Sequence, residues 1–367
     1  MTSDTARKRV LIAGASGTVG QAAVRHFEAL GDWDVIALSR RPAGHAGTGR
    51  VRQLSVDLDD AAACAAALAD LPPVSHLVYA ALFEQPGLVA GWREAAQMER
   101  NLAMLRNLAG PLIAGGALRH ATLLQGTKAY GVHIHRIPVP ARESWPRDAH
   151  DNFYWLQEDW LRAQAAARGF AMTVLRPQIV FGEAAGVAMN LIPVLGAYAA
   201  IRRAEGLPFA YPGGPGYLSE AVDARLLAQV IAWAAEAPAA AGECFNVTNG
   251  DVFAWPNVWP SIADAFGMEA GEPQPTSLAG YLPARAEVWA QIADRNDLRH
   301  RDLAAMMGES HHYADFCLAH GATRPPPPVL VSTIKLRQAG FAGCIDTEVM
   351  FRQLIAEARE MRLLPPR

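Results

Sequence analysis

The chain has 367 residues, enough for one large or two modest domains with a substantial hydrophobic core. Hydrophobic residues make up 51% of the chain and charged residues 19%, a globular composition that excludes disorder. The formal net charge of -3 predicts neither a nucleic-acid partner nor a membrane-surface partner.

The spacing of the cysteines and the lack of long apolar segments argue against further classes of protein. Cys64, Cys244, Cys317 and Cys344 lie far apart, without the CxxC or Cys/His spacing of a zinc site or a disulfide framework. We therefore expect no metal. Residues 1–9 are polar, and no run of about 18 apolar residues occurs, so we expect a cytoplasmic protein without a membrane span.

Strand and helix patterns alternate through the first half of the chain. Short apolar runs predict strands at residues 9–13, 34–39, 51–56, 76–79, 121–125 and 171–176. Helical patterns lie between them, at residues 20–30, 61–69, 92–109 and 152–168. This alternation predicts an α/β fold, a Rossmann-type doubly wound parallel sheet, over residues 1–185.

The second half of the chain is predicted to be mostly helical. Helices are expected at residues 191–204 and 224–235, a late strand at 243–247, and a final element over 332–360. Because no Gly/Ser-rich linker separates the halves, we expect residues 186–367 to form a smaller helical substrate or lid region interleaved with the sheet, which takes elements from residues 220–255. An apolar helical face there could support a homodimer.

A glycine-rich turn follows the first strand, where residues 14–20 read GASGTVG. Gly14 permits the tight turn, Gly17 lets the backbone approach a pyrophosphate, and Gly20 allows close helix packing. The free N–H groups of the following helix would face the phosphates. A glycine pattern alone is a weak signal, but the strand before it and the helix after it make it specific. The predicted phosphate-binding residues are Gly14, Ser16, Gly17, Thr18, Val19 and Gly20.

The end of the second strand predicts which dinucleotide binds. It reads Ser39-Arg40-Arg41, with no acidic residue for a ribose 2′-hydroxyl, and a guanidinium pair suits a 2′-phosphate. NADPH is therefore the predicted cofactor. Asp57 and Leu58 follow the third strand, where such folds hold the adenine ring, although Asp57 could equally cap the next helix. Further predicted cofactor contacts are Ala81, Thr127 and Ile179.

The catalytic residues depart from the usual pattern of this fold. A typical member carries Tyr-x-x-x-Lys on a helix, where the lysine lowers the phenol pKa and holds the ribose. Here Tyr154 is followed at the lysine position by Glu158, and no other such motif exists. Lys128 lies just beyond the fifth strand and could reach the same crevice to stabilise an oxyanion or a tyrosinate. Taken alone, a lysine at the start of a loop is more often a solvated surface residue. His133 and His135 follow it and could line the pocket.

Several motifs together resemble one family. Residues 152–159 read Asn-Phe-Tyr-Trp-Leu-Gln-Glu-Asp and residues 126–130 read Gly-Thr-Lys-Ala-Tyr. These segments, with Ser39-Arg40-Arg41, resemble the motifs of the progesterone 5β-reductase/iridoid synthase-like family, an atypical branch of the extended short-chain dehydrogenases/reductases. Further matches cover nearly the whole chain, at residues 176–182, 189–191, 245–251, 332–335 and 340–341.

The resemblance implies an NADPH-dependent 1,4-reduction of an α,β-unsaturated carbonyl compound, with Tyr154 and Lys128 at the centre and a small apolar carbonyl compound as substrate. Trp155 stands where the family often has a second tyrosine, which leaves Tyr154 as the only candidate in the motif. Residues 79–82 lack the tryptophan that plant members carry near the cofactor. This departure weakens any transfer of a plant substrate preference.

The residues leave other functions open. One is an NADP-dependent carbonyl reductase, because a tyrosine–lysine pair could also serve a ketone. A sugar-nucleotide epimerase or dehydratase shares the fold and the glycine motif, but the missing helical lysine and the arginine pair argue against it. A catalytically silent NADP-binding regulator would need neither Lys128 nor Tyr154.

Overall fold

The computed structural model describes residues 8–41, 49–86 and 90–367. Within these ranges a parallel sheet of seven strands has the order β11-β6-β5-β4-β1-β2-β3. The strands of the described chain are β1 (Lys8–Ala13), β2 (Trp33–Ser39), β3 (Val51–Ser55), β4 (His76–Tyr79), β5 (His120–Leu124), β6 (Ala171–Pro177), β7 (Ile179–Phe181), β8 (Phe209–Ala210), β9 (Leu218–Ser219), β10 (Ala221–Asp223), β11 (Cys244–Val247), β12 (Phe253–Ala254) and β13 (Ala270–Gly271). The predicted doubly wound fold is confirmed. The strand order reverses between β1 and β4, where open α/β sheets bind ligands.

Helices cover both faces of the sheet and build most of the remaining chain. They are α1 (Thr18–Leu30), α2 (Ala61–Ala69), α3 (Ala95–Ala114), α4 (Phe153–Arg168), α5 (Leu191–Ala204), α6 (Ala224–Glu236), α7 (Trp255–Phe266), α8 (Leu278–Tyr281), α9 (Ala286–Arg295), α10 (Leu303–Met307), α11 (Ser310–Cys317), α12 (Ile334–Gln338) and α13 (Thr347–Glu360). Single 3-10 turns lie at Ala90–Arg93, Thr127–Tyr130, Pro238–Ala240 and Pro283–Arg285.

The central strands of the sheet are covered by helices on both faces, which explains why they are mostly apolar, whereas the edge strand β3 exposes Arg52 and Gln53. Val10 and Ile12 of β1 pack with α1 and α6 on one face. Leu11 and Ala13 pack with α2, α3 and α4 on the other. Because side chains alternate along a strand, a parallel strand covered by helices on both sides needs apolar residues at every position.

The C-terminal half has its own apolar cluster. Trp255, Trp259, Trp289 and Phe351 are fully buried among helices α5, α7, α9, α11 and α13. Helix α6 and strand β11 instead return to the sheet and pack against it. Three short strand pairs, β7–β10, β8–β13 and β9–β12, were not expected from the sequence. The domain boundary at residue 185 stays a prediction.

Two helix predictions were wrong in their bounds. The helix expected over residues 92–109 begins at Ala95, after a separate 3-10 turn, and continues through Pro111 to Ala114. The single final element expected over residues 332–360 is two helices, α12 and α13. Gly340, with φ of 109°, lies in the break, and the side chain of Asp346 then caps α13 by accepting the N–H of Val349.

No helix in the described ranges is long and apolar enough to cross a membrane. Residues 1–7, most of the polar segment at the start of the chain, lie outside the described residues.

Candidate active site

A cavity of about 850 Å³ opens at the carboxyl ends of the central strands of the sheet. Its other wall comes from the helical half, including Val187, Tyr313 and Phe316. Ligand pockets of proteins commonly have volumes of roughly 300–1,000 Å³. The predicted site residues that line the cavity are Gly14, Ser16, Gly17, Thr18, Val19, Ser39, Arg40, Arg41, Asp57, Leu58, Ala81, Thr127, Lys128, Tyr154 and Ile179. Gly20 is the predicted site residue that does not line it.

The glycine turn has the shape that a phosphate-binding loop requires. Gly14 has φ of 81°, a left-handed conformation that favours glycine, and a Cβ there would lie 2.6 Å from the carbonyl oxygen of Ala80. A Cβ on Gly20 would lie 2.1 Å from the carbonyl oxygen of Gly14, so Gly20 allows the helix to pack on the turn. Helix α1 begins behind Gly17 without a side-chain cap, which leaves its first N–H groups to an anion. The turn therefore fits a dinucleotide pyrophosphate.

The residues after β2 and β3 form the far end of the cavity. Arg40 and Arg41 are exposed, and the Arg41 guanidinium donates to the carbonyl oxygen of Gly186 at 3.0 Å. Asp57 accepts the N–H of Asp59 at 3.1 Å, whereas Asp60 caps α2 by accepting the N–H of Ala63. The alternative role of Asp57 as a helix cap was therefore wrong, and its carboxylate lines the cavity.

Tyr154 lies in the first turn of α4, and the Asn152 side chain holds it there by accepting the N–H of Tyr154 at 3.0 Å. Its hydroxyl points toward the end of β5, where a Cβ on Gly126 would lie 3.2 Å from it. Burial raises the pKa of Tyr154 well above its usual range, and the nearby Glu84 carboxylate adds to this. The phenol therefore stays protonated near neutral pH and can donate a hydrogen bond.

Lys128 is a buried cation at the other side of the same cavity. Its side chain is 14% exposed, and its ammonium lies 3.6 Å from a carboxylate oxygen of Glu84 and 4.1 Å from the centre of the Trp92 ring. Burial lowers the pKa of Lys128, and the Glu84 carboxylate opposes that effect. The alternative of a surface lysine at a loop start is therefore wrong.

Glu158 points away from the cavity into a buried polar network. Its carboxylate accepts Gln125 Nε2 at 2.7 Å and Arg162 Nε at 2.8 Å, and it lies 4.0 Å from Arg176. Arg176 in turn donates to the Gln125 side chain at 2.9 Å. The helix position that holds lysine in typical members of this fold therefore carries a structural anion here.

Further side chains that the sequence did not single out also line the cavity, among them Glu84, Trp92, Glu220 and Tyr313. Glu84 follows β4 at the ligand-binding edge of the sheet, a signal that could have been used. Burial raises the pKa of Glu220 to about 7, and its carboxylate accepts the N–H of Val331 at 2.8 Å. Tyr313 lies on α11, far along the chain from the sheet strands, and no local sequence pattern indicates that it lines the cavity.

The two loop histidines differ in position. His133 lines the cavity, and burial lowers its pKa to about 4, so its ring is neutral near pH 7. His135 is exposed and lies 2.8 Å from the Asp148 carboxylate, outside the cavity. Within the described ranges, no group of three or more His, Cys, Asp or Glu side chains could hold a metal ion.

Comparisons with known proteins identify the family and several relatives of this chain. The model of the NAD dependent epimerase/dehydratase family matches residues 10–248. (S)-8-oxocitronellyl enol synthase CYC2 of Camptotheca acuminata is 30% identical over 380 residues, which cover 97% of this chain and 93% of the relative. The 3-oxo-Delta(4,5)-steroid 5-beta-reductase of Arabidopsis thaliana is 29% identical over 378 residues, which cover 97% of this chain and 92% of the relative.

Solved structures show the same fold. The UDP-glucose 4-epimerase of Thermus thermophilus, in complex with NAD, superposes with a TM-score of 0.65 at 20% sequence identity. The superposition covers 96% of this chain and 99% of the epimerase.

The fold and the cavity define an NAD(P)-dependent oxidoreductase of the short-chain dehydrogenase/reductase superfamily. The chain belongs to the NAD dependent epimerase/dehydratase family and, within that family, to the progesterone 5β-reductase/iridoid synthase-like branch.

The network around Glu158 predicts that a lysine cannot be restored to α4. Glu158→Lys would place an ammonium beside Arg162 and Arg176 in a buried site and remove their anion. We expect a loss of roughly 3–5 kcal/mol in the free energy of unfolding, measured by urea denaturation. Glu158→Gln keeps the shape without adding a positive charge, and we expect a smaller loss. Equal stability of Glu158→Lys and the unmodified protein would contradict this account.

Proposed function

We propose that this protein is an NADPH-dependent reductase that adds hydride to the β-carbon of an α,β-unsaturated carbonyl compound. The observation that carries the proposal is that Lys128 and Tyr154 line one cavity, while Glu158 occupies the usual lysine position and points elsewhere. The phosphate turn and the arginine pair line the same cavity. A cofactor site and two oriented donors are thereby combined.

The two donors fit a reaction that builds negative charge on oxygen. A bound reduced nicotinamide would supply the hydride, and charge would then develop on the carbonyl oxygen of the substrate. Tyr154 is kept neutral by burial and can donate its O–H, while Lys128 can donate an N–H from its ammonium. Fixed donors in a site shielded from water typically contribute roughly 2.7–4 kcal/mol each to lowering such a barrier.

Conjugate addition fits the missing helical lysine better than ketone reduction does. An enolate can be protonated later at carbon from solvent, so no proton must reach the oxygen in the same step. Reduction of a simple ketone depends more on a proton relay through tyrosine and lysine. The name of the Arabidopsis relative describes reduction at carbon 5 of a 3-oxo-Δ4,5 steroid, which is the β-carbon of an enone.

The walls of the cavity support a small, largely apolar substrate. Phe83, Trp92, Met189, Tyr313 and Phe316 contribute apolar or aromatic surface. Such surface offers little to the many hydroxyls of a sugar nucleotide, which argues against the epimerase or dehydratase alternative. A regulator that binds NADP without catalysing a reaction would not need Lys128 in a buried position, where an ammonium lowers the stability of the fold. A homodimer and a cytoplasmic location stay predictions.

The cofactor preference follows from Arg40 and Arg41. We expect NADPH to bind about ten- to a hundredfold more tightly than NADH, because a charged hydrogen bond to the 2′-phosphate is worth roughly 1.5–3 kcal/mol. Arg40→Ala with Arg41→Ala should weaken NADPH selectively in calorimetry. Arg52→Ala removes an exposed arginine that does not line the cavity and is the matched control. Equal dissociation constants for the two cofactors would refute the preference.

The site of hydride addition can be read from the product. With 2-cyclohexen-1-one and NADPH deuterated at the transferred C4 position, we expect deuterium at the β-carbon of a saturated ketone. The measurement is mass spectrometry with NMR of the isolated product. Deuterium at the carbinol carbon of an allylic alcohol would identify a carbonyl reductase instead, which is the second candidate.

Tyr154 and Lys128 should act as one unit. Tyr154→Phe and Lys128→Ala should each lower the turnover number, and the double variant should be little worse than the poorer single variant, because both serve one oxyanion. Tyr130→Phe is the matched control, since Tyr130 is a nearby buried tyrosine that donates to Asn246 and does not line the cavity. The turnover numbers are measured by steady-state kinetics. If the loss in the double variant equals the product of the two single losses, the two residues do not share one role.

A further inference from the structure

A buried carboxylate accompanies the candidate catalytic lysine. The Glu84 side chain is 4% exposed, and its two oxygens face different partners. One oxygen accepts Gln97 Nε2 at 2.7 Å, and the other lies 3.6 Å from the ammonium of Lys128. Gln97 is itself almost completely buried and accepts the N–H of Gln85 at 3.0 Å. Glu84 is therefore held in place from α3, with one oxygen directed at the lysine.

Burial alone would drive the Lys128 ammonium toward its neutral form. Removing an ammonium from water costs several kcal/mol unless an opposite charge compensates. Among the described residues, Glu84 is the carboxylate within ion-pair distance of Lys128. The face of the Trp92 ring adds a cation–π contact from the other side. Burial also raises the pKa of the Glu84 carboxyl, and the Lys128 ammonium opposes that shift, so each charge of the pair stabilises the other. Glu84 and the Trp92 ring are the two groups that favour the charged form of Lys128.

The other ionisable groups near Lys128 are poor substitutes for Glu84. Tyr154 and His133 are both neutral near pH 7, because burial raises the pKa of the first and lowers that of the second. Arg93 donates to the carbonyl oxygen of His133 and adds positive charge. Asp315 lines the cavity from α11, but its carboxylate accepts Ser277 Oγ and the N–H of Leu278, both at 2.6 Å.

We propose that Glu84 is a positioning residue that keeps the Lys128 ammonium charged and fixed beside the Trp92 ring, facing the substrate cavity. This inference rests on the proposed function, in which Lys128 donates to the carbonyl oxygen. Glu84 does not contact the reacting atoms itself. Its effect on the reaction passes entirely through the protonation state and the direction of the lysine.

The sign of the expected effect follows from charge. Glu84→Gln keeps the size of the side chain and a partner for Gln97, but it removes the negative charge. The desolvation of Lys128 then acts without opposition, so the pKa of Lys128 falls further. If the reaction requires the ammonium, its rate begins to fall at a lower pH in Glu84→Gln than in the unmodified protein. Below the pH at which this fall begins, the variant keeps much of its rate.

The first measurement follows Lys128 directly and needs no substrate. The chain contains three lysines, Lys8, Lys128 and Lys335, so labelling with ε-¹³C-lysine gives three resonances that Lys→Arg variants assign. We expect Glu84→Gln to lower the titration midpoint of the Lys128 resonance by about one pH unit or more, a tenfold change in the protonation equilibrium. An unchanged midpoint would overturn the proposal.

The second measurement connects this titration to catalysis in the full-length enzyme. The alkaline limb of the kcat/KM profile for 2-cyclohexen-1-one should move to lower pH in Glu84→Gln by the same amount as the NMR midpoint. A uniform loss at every pH would show a merely structural role and refute the inference. Glu143→Gln is the matched control, because Glu143 is a half-buried carboxylate that accepts the N–H of Asn246 outside the cavity.

A conservative variant covers the case in which Glu84→Gln does not fold. Glu84→Asp keeps the charge but draws it away from the ammonium, and we expect a smaller shift in the same direction, with the dissociation constant for NADPH unchanged. If the unmodified enzyme reduces no enone, the proposed function fails, and the NMR titration still decides whether Glu84 controls Lys128. If enones are reduced and neither variant moves the midpoint, the inference fails alone.

Discussion

The burial of one positive charge organises this active site. The Lys128 side chain is only 14% exposed, so solvent stabilises its ammonium little, and the fold supplies a carboxylate and an aromatic ring face instead. Glu84 follows β4, Lys128 follows β5, and Trp92 precedes α3, which places all three at the carboxyl edge of neighbouring strands. Parallel strands end together, so residues separated by more than 30 positions meet without any local motif.

Compensation of buried charge also accounts for the absence of a lysine at position 158 of α4. In the usual arrangement one helical turn separates tyrosine and lysine, and a single helix supplies both groups. Here that position holds Glu158, whose carboxylate compensates the positive charges of Arg162 and Arg176. In the proposed reaction, the positive charge near the oxyanion comes from Lys128 on another element. The site keeps a tyrosine and an ammonium but divides them between the helix and the neighbouring strand end.

Local sequence determined those parts of the structure that depend on local contacts. The strands of the sheet agree with their predicted ranges to within one residue at each end, and α5 agrees completely, because apolar periodicity acts over a few residues. Most predicted site residues follow the strands that place them at the cavity. Glu84 and Tyr313 were missed, since their importance depends on packing across β4, β5 and α11. The bounds of α3 were wrong at both ends. The 3-10 turn before it resembles a helical pattern, and proline usually ends a helix, whereas α3 continues through Pro111.

The two halves of the chain contribute different groups to the cavity. The sheet half supplies the groups whose positions must be rigid: the phosphate turn, Lys128 and Tyr154. The helical half supplies Tyr313, Phe316 and the segment around Gly186, which close the cavity over them. Arg41 donates to the carbonyl oxygen of Gly186, so the residue predicted to bind the cofactor phosphate also contacts the helical half. Residues of the helices that line the cavity can therefore vary without displacing Lys128 and Tyr154, because both of these residues are held within the sheet half.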